Sequence, residues 1–160
     1  MTPTNTRLPL ASEGATLALG TALAAGARPG RTLFLSGDLG AGKTTLVRGL
    51  LRSLGWSGRV KSPTYTLVEL YAVSRLNLYH FDFYRFKDGE EWVSSGFREH
   101  FNPESLCVVE WPEKAAGLLP PPDLHVILDI AETGRRASFR AHSDAGRSWR
   151  DSALASLLSS

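Results

Sequence analysis

Short apolar runs alternate with segments of helical periodicity along this chain, and that order predicts a sheet with helices packed on it. Two continuous runs, Thr32-Leu33-Phe34-Leu35-Ser36 and Leu106-Cys107-Val108-Val109, have the length and composition of buried strands. The other predicted strands form two hairpins: residues 67–73 and 76–83 with Arg75 in the connection, and residues 124–130 and 136–141 with the turn at residues 132–134.

Helices are predicted between these strands. Ser12 is placed to cap a helix near residues 13–26, because a serine hydroxyl accepts from free amides of the first turn. A second helix starts at Thr45 and continues to about residue 54, where Gly55 ends it. Two more segments are predicted to be helical: the acidic residues 88–101 and the Ser-rich tail from residue 148.

The ends of the chain are simpler. Arg7-Leu8-Pro9-Leu10 is predicted to form a short edge strand, because proline is tolerated where no ladder hydrogen bond is required. Residues 1–6 are polar and are predicted to form a flexible N-terminus. Residues 1–160 are predicted to form a single domain, since 160 residues suffice for one good core but hardly for two.

Composition excludes several classes of protein. An apolar content of 42% and a charged content of 21% are ordinary for a globular protein, and a net charge of +2 does not by itself indicate nucleic-acid binding. Cys107 is the single cysteine, so no internal disulfide can form, and it is predicted to be a buried small hydrophobe. No apolar run reaches the ~18 residues of a membrane span. A cytoplasmic protein without membrane contact is therefore expected.

The candidate chemistry begins after the first buried strand, with Gly37-Asp38-Leu39-Gly40-Ala41-Gly42-Lys43-Thr44-Thr45. This stretch fits G-x-x-x-x-G-K-[ST], the phosphate-binding loop. Its glycines allow successive N–H groups to turn inward, and the following helix presents its positive end to an anion. Lys43 is expected to reach the β- and γ-phosphates, and the Thr44 hydroxyl is placed to ligate Mg²⁺.

Two acidic residues at strand ends complete the predicted site. Glu110 follows the apolar run 106–109, where a parallel strand would deliver it to Mg²⁺ or to the attacking water. Asp82 ends the strand before it and is a candidate for the metal environment. Alternation puts His80 and Asp82 on one face with Leu78, and His80 is interpreted as a structural histidine and not as a catalyst.

Two features of the sequence allow alternative interpretations. Residues 57–66 are polar; they form either a switch segment, with Thr64 and Thr66 facing the metal or water, or a plain connector. Arg135 follows a predicted turn, and it either approaches a nucleotide or is an exposed surface arginine.

These residues predict an α/β domain that binds a nucleoside triphosphate with Mg²⁺, and three classes compete. The first is an energy-coupling ATPase, and the second is a P-loop small-molecule kinase. The third, a GTP switch, is disfavoured because neither Lys61, Lys87 nor Lys114 has the aspartate two residues later that reads guanine. The kinase is disfavoured because residues 84–101 supply only Arg85 and Arg98 for an arginine-bearing lid.

Beyond the phosphate-loop block, three further blocks carry a family resemblance, and they are Val60-Lys61-Ser62-Pro63-Thr64-Tyr65-Thr66-Leu67-Val68-Glu69, Tyr79-His80-Phe81-Asp82-Phe83-Tyr84-Arg85 and Val109-Glu110-Trp111-Pro112. In order and spacing, from about residue 8 to 140, the chain resembles the TsaE family, the small ATPases of bacterial tRNA threonylcarbamoyladenosine synthesis. Phe83 stands where that family usually has leucine, and the tail after residue 145 does not match closely.

The resemblance implies a P-loop NTPase of three α/β/α layers with a mixed parallel and antiparallel sheet. It implies a Mg²⁺-dependent ATPase needed to form the threonylcarbamoyl modification on adenosine 37 of tRNAs that read ANN codons. The implied partners are the TsaB–TsaD pair, with tRNA contacted indirectly or transiently.

The resemblance also implies roles for single residues. ATP or ADP phosphates would lie on Asp38, Leu39, Gly40, Ala41, Gly42, Lys43, Thr44 and Thr45. Mg²⁺ would be held by Thr44 and Glu110, with Lys43, Asp82 and Glu110 as the catalytic groups. Base contacts would come from Glu13 and Arg135.

Overall fold

The computed structural model describes residues 6–63, 65–73 and 76–159. The predictions for residues 1–5, Thr64 and Arg75 lie outside these residues. Seven strands occur in the described part, and they are β1 (Thr6–Leu10), β2 (Thr32–Ser36), β3 (Val68–Val73), β4 (Leu76–Asp82), β5 (Ser105–Glu110), β6 (Leu124–Ile130) and β7 (Arg135–Ala141). The α-helices of the same residues are α1 (Glu13–Leu23), α2 (Lys43–Ser53), α3 (Gly89–Ser94) and α4 (Asp144–Leu158).

All seven strands belong to one mixed sheet in the order β1-β7-β6-β2-β5-β4-β3. Its centre is parallel, because β2 pairs with β5 and β6, and β5 pairs with β4. The outer pairs are antiparallel, which confirms both predicted hairpins and the edge strand β1. Parallel strands all end at the same edge, so the residues that follow β2, β4 and β5 are brought together there.

Two apolar cores, one on each face of the sheet, give the fold three layers, as the resemblance implied. On one face, α1, α2 and α4 cover Leu33, Leu35 and Val108. On the other face, α3 and the aromatic residues near it cover Phe81 and Val109. The central strand β5 lies between the two cores and has no face toward solvent, which explains why it is buried along its whole length.

Local signals set the element ends. The Ser12 hydroxyl accepts from the Ala15 amide at 3.2 Å, as predicted for the cap of α1. Gly55 follows α2 with a φ of +102°, the left-handed backbone that glycine adopts without strain. The acidic segment 88–101 is helical in two pieces, because Gly96 breaks it at a φ of +66° before a 3₁₀ turn at Phe97–His100.

The cysteine is buried, as predicted. Burial raises the pKa of the Cys107 thiol to about 12, so the side chain stays neutral and unreactive at physiological pH. No helix among the described residues combines the length and the apolar character needed to cross a bilayer.

The C-terminal tail is helical, as predicted, but it begins at Asp144 and joins the core. Trp149 is completely buried, and its indole N–H donates to the Leu23 carbonyl at 2.7 Å. Gly26 passes so close to this ring that an added Cβ would lie 2.5 Å from Trp149 Cδ1. The tail helix α4 therefore packs against the C-terminal end of α1.

Trp149→Ala is expected to destabilise the protein by about 3–5 kcal/mol, because it leaves a large cavity under α1 and removes the indole hydrogen bond. Urea denaturation followed by circular dichroism measures the change. Leu158→Ala in the same helix is the matched control, since Leu158 is 88% exposed. Equal stability of the two variants would mean that α4 is not part of the core.

Candidate nucleotide-binding site

The phosphate loop of residues 37–42 joins β2 to α2 in a conformation that requires glycine. Gly42 precedes the first helical residue at a φ of +107°. At Gly37, with a φ of +147°, an added Cβ would lie 2.4 Å from the Leu128 carbonyl oxygen. No side chain caps the start of α2, so its first amides remain available to an anion.

A cavity of about 410 Å³ opens above this loop. The predicted phosphate and metal residues line it together, namely Leu39, Gly40, Ala41, Gly42, Lys43, Thr44, Thr45, Asp82 and Glu110. Sequence reasoning had not placed Ser62, Tyr84, Arg85 and Trp111 in its wall. Asp38 is set apart: it lines a smaller neighbouring cavity and not the main one, and its backbone oxygen accepts from the Lys43 ammonium at 3.2 Å.

Thr44 and Glu110 lie close enough to share one cation. Thr44 Oγ1 is 3.4 Å from Glu110 Oε2. A hydroxyl and a carboxylate are hard oxygen donors, and Mg²⁺ commonly takes one or two carboxylates and fills the rest of its shell with phosphates and water. Within residues 6–63, 65–73 and 76–159, no group of three or more His, Cys, Asp or Glu side chains could hold a metal unaided. The pair therefore fits a Mg²⁺ ion that arrives with a nucleotide.

Asp82 stands beside this pair, because parallel pairing of β4 and β5 sets it opposite Glu110. Both of its carboxylate oxygens accept hydrogen bonds from neighbouring chain: one from the Ser62 hydroxyl, the other from the Tyr84 amide at 3.0 Å. A carboxylate held in this way has a fixed orientation, which suits it to order a water molecule or a ligand beside the metal pair.

Lys43 is 94% buried and folds back over its own loop. Its ammonium donates to the carbonyls of Gly37 and Asp38 and lies 4.1 Å from the centre of the Trp111 ring. Burial lowers the pKa of Lys43, while Glu110 and Asp82 act against that shift. The charge is therefore poorly solvated by protein groups alone, which favours contact with an anionic ligand.

His80 is the neighbour of Glu110 that sequence reasoning undervalued. Its Nε2 atom lies 2.6 Å from Glu110 Oε2, and the side chain is fully buried. The alternation of β4 already placed His80 on the same face as Asp82. The missing information was the strand order, because only the pairing of β4 with β5 brings Glu110 within reach.

Among the described residues of the segment 57–66, Ser62 lines the cavity and Thr66 does not. The Ser62 hydroxyl donates to Asp82, whereas Thr66 is exposed and donates to the Val68 carbonyl at 3.2 Å. Thr66 does not face the metal pair, and that part of the prediction is wrong. The segment is nonetheless joined to the site through the Ser62 hydroxyl.

A second cavity of about 400 Å³ lies on the other side of the loop. It brings the two predicted base residues, Glu13 and Arg135, together with Gly40, Ala41, Gly42 and Thr45. The Arg135 guanidinium also donates twice to the Gly40 carbonyl, through Nη2 at 2.9 Å and Nε at 3.3 Å. Arg135 thus contacts the tip of the phosphate loop directly, which the sequence did not indicate.

Comparison with known proteins decides the family. The family model described as "Threonylcarbamoyl adenosine biosynthesis protein TsaE" matches residues 10–138. The chain belongs to the TsaE family.

The similarity extends to individual proteins. The tRNA threonylcarbamoyladenosine biosynthesis protein TsaE of Haemophilus influenzae is 48% identical over 115 residues, which cover 72% of this chain and 73% of that protein. The Bacillus subtilis protein of the same name is 40% identical over 127 residues and 79% of each chain. The crystal structure of Bacillus subtilis YdiB has a TM-score of 0.77 at 30% identity, and the match covers 94% of this chain and 93% of that one.

Phe83 departs from the residue usual in the TsaE family without disturbing the site. Its ring is fully buried and packs 5.1 Å from Phe86, measured between ring centres. The substitution is accommodated in the core under α3, away from the cavity.

In this TsaE-family chain, Arg135→Ala is expected to weaken the binding of both Mg·ATP and Mg·tripolyphosphate about tenfold, since one charged group that orders the Gly40 carbonyl is lost. Titration calorimetry measures both ligands, with Arg136→Ala as the matched control on an exposed neighbour. A loss confined to ATP would make Arg135 a base contact and not a support of the loop. Unchanged affinity for both ligands would contradict either role.

Proposed function

We propose that this TsaE-family protein is a Mg²⁺-dependent ATPase of tRNA threonylcarbamoyladenosine formation, acting in the cytoplasm with the TsaB–TsaD pair. The threonylcarbamoyl group would be placed on adenosine 37 of tRNAs that read ANN codons, with tRNA contacted indirectly or transiently. Family membership supports the pathway. One observation carries the enzymatic part: Lys43, Thr44, Asp82 and Glu110 line a single cavity over the phosphate loop.

Each group has a separate proposed role in the binding and hydrolysis of ATP. The loop amides and Lys43 bind the phosphates, and the ammonium exchanges the Gly37 and Asp38 carbonyls for phosphate oxygens. Thr44 and Glu110 would hold Mg²⁺, which would supply positive charge to the phosphates. Asp82, fixed by Ser62 and Tyr84, orients the attacking water.

The second cavity is the proposed site of the adenine base. Glu13 supplies acceptor oxygens at its rim, and Arg135 supplies a planar donor group next to Gly40. ATP and ADP are favoured over guanine nucleotides in this proposal, because the guanine-reading aspartate is absent from the sequence.

The alternative function, a small-molecule kinase, rests on the same loop. Arg85 is one cation that the cavity offers beyond Lys43, and it lies 5.0 Å from the centre of the Tyr65 ring at the mouth. A kinase would transfer the γ-phosphate to an acceptor, whereas the ATPase releases inorganic phosphate. Phosphate release from Mg·ATP in the absence of any acceptor separates the two.

Thr44→Ala and Glu110→Gln are each expected to lower that phosphate release by a factor on the order of a hundred, since each removes a metal ligand used in the transition state. Glu113→Gln is the matched control, because Glu113 is exposed and lies outside the main cavity. Hydrolysis at the normal rate by both site variants would refute the assignment.

The partner surface is proposed at the mouth of the cavity. The tryptophans near the acidic segment do not supply it, because Trp92 is only 5% exposed and Trp111 is turned toward Lys43. The apolar side chains that are exposed near the mouth are Leu39, Tyr65 and Tyr84. Exposed aromatics of this kind are common at the energetic centre of protein interfaces.

The isolated protein is expected to hydrolyse ATP slowly and to be stimulated by purified TsaB–TsaD, because Arg85 is the single arginine among the described residues that lines the main cavity, where the γ-phosphate would lie. Tyr65→Ala is expected to remove most of the stimulation and leave the basal rate unchanged. Val93→Ala, on the exposed face of the acidic α3, is expected to keep it. Loss of stimulation in Val93→Ala alone would move the docking surface to α3.

A further inference from the structure

We propose that His80 is a positioning residue that holds the Glu110 carboxylate in its metal-binding orientation. This inference rests on the proposed Mg·ATP site. His80 does not reach the cavity itself; it acts from the interior of the sheet, through the 2.6 Å contact between its Nε2 atom and Glu110 Oε2.

The contact has a defined direction. An ionised carboxylate offers only acceptors, so the proton between the two atoms belongs to the imidazole, and His80 donates its Nε2–H. The other ring nitrogen, Nδ1, is buried and has no hydrogen-bond partner among the described residues. An unpartnered N–H would be the costlier choice there, so the neutral ring with its proton on Nε2 fits both nitrogens.

The geometry shows what this donor achieves. Glu110 is 98% buried, and Oε2 is engaged by His80 at 2.6 Å and approached by the Thr44 hydroxyl at 3.4 Å. Among the described residues no donor engages Oε1, so that oxygen stays available to a cation. A metal-ligating group fixed from behind by a hydrogen bond binds its metal about 10–100-fold more tightly than one left to rotate.

A competing arrangement makes the histidine necessary. Lys43 lines the same cavity as this carboxylate, and Glu110 opposes the effect of burial that lowers the pKa of Lys43. A Glu110 side chain released by His80 would turn toward the Lys43 ammonium and form an internal ion pair. That pair would occupy both the metal ligand and the phosphate-binding charge. His80 therefore keeps the Glu110 carboxylate and the Lys43 ammonium apart inside one small cavity.

The test compares three variants of His80 that differ in whether their side chain can donate a hydrogen bond to Glu110. His80→Leu removes the donor, and His80→Asn places an amide near the position of Nδ1, too short to reach Glu110. His80→Gln places an amide near the position of Nε2 and restores the donor. His100→Leu is the matched control, because His100 stacks on Tyr79 on the opposite face of β4, with 4.1 Å between ring centres.

Calorimetry with a non-hydrolysable ATP analogue, with and without Mg²⁺, gives the readout. We expect the leucine and asparagine variants to raise the half-saturating Mg²⁺ concentration about tenfold or more. Their Mg²⁺-free affinity should fall much less, and only through the pairing of Glu110 with Lys43. The glutamine variant and the His100 control should stay near the wild type. Equal Mg²⁺ dependence in the asparagine and glutamine variants, or an equal loss with and without Mg²⁺, would overturn the proposal.

A measurement on the unaltered protein guards against variants that fail to fold. Nitrogen-15 spectra of labelled histidine distinguish a proton on Nε2 from one on Nδ1. A proton on Nδ1 of His80 would overturn the proposal whatever the variants do. A wild-type protein whose affinity for the analogue does not respond to Mg²⁺ would instead refute the proposed function.

Discussion

The parallel pairing of β4 with β5 is the constraint on which the site depends. It aligns Asp82 with Glu110 at the carboxyl edge of the sheet, and it brings His80 behind that carboxylate two residues earlier. The pairing of β5 with β2 then sets the two acids against the start of α2, where Lys43 and Thr44 stand. A slip of one residue in either pairing would turn these side chains to the opposite face of the sheet, into the aromatic core under α3. The positions of these site residues therefore depend on strand register more than on loop conformation.

Charge balance in the cavity follows from the same arrangement. One buried ammonium, on Lys43, faces two nearly buried carboxylates, and each charged group is held by neutral partners: Lys43 by loop carbonyls, Asp82 by Ser62, and Glu110 by His80. Direct ion pairs would hold these groups more tightly to one another and would leave nothing for a ligand. Neutral hydrogen-bond partners keep the three groups ordered but exchangeable. Two non-glycine residues with positive φ, Leu67 at +69° and Trp111 at +58°, flank the acids, which indicates that the surrounding packing imposes the local backbone.

The sequence was sufficient for the elements and for the type of site, because both depend on local patterns. The phosphate loop, the strand that ends in Glu110 and the two hairpins were predictable from residue spacing alone. The contacts that refine the site were not predictable, because they join residues far apart in the chain. Glu110 meets His80, and Arg135 meets Gly40, only after the strand order is known. The burial of Trp92 was not predictable for a related reason: it packs on Phe97 and Phe101, which fold back toward it only after the break at Gly96.

The strand order also determines when the phosphate loop can reach its final position. The strand that carries the phosphate loop, β2, lies between β5 and β6, and these begin only at Ser105 and Leu124. The first helix, in turn, is closed by Trp149 of the last one. Synthesis must therefore reach residue 110 before β2 can gain its first neighbour and residue 130 before it can have both. Contacts of such long sequence separation slow folding, so the phosphate loop is fixed between its neighbouring strands only late in the folding of the chain.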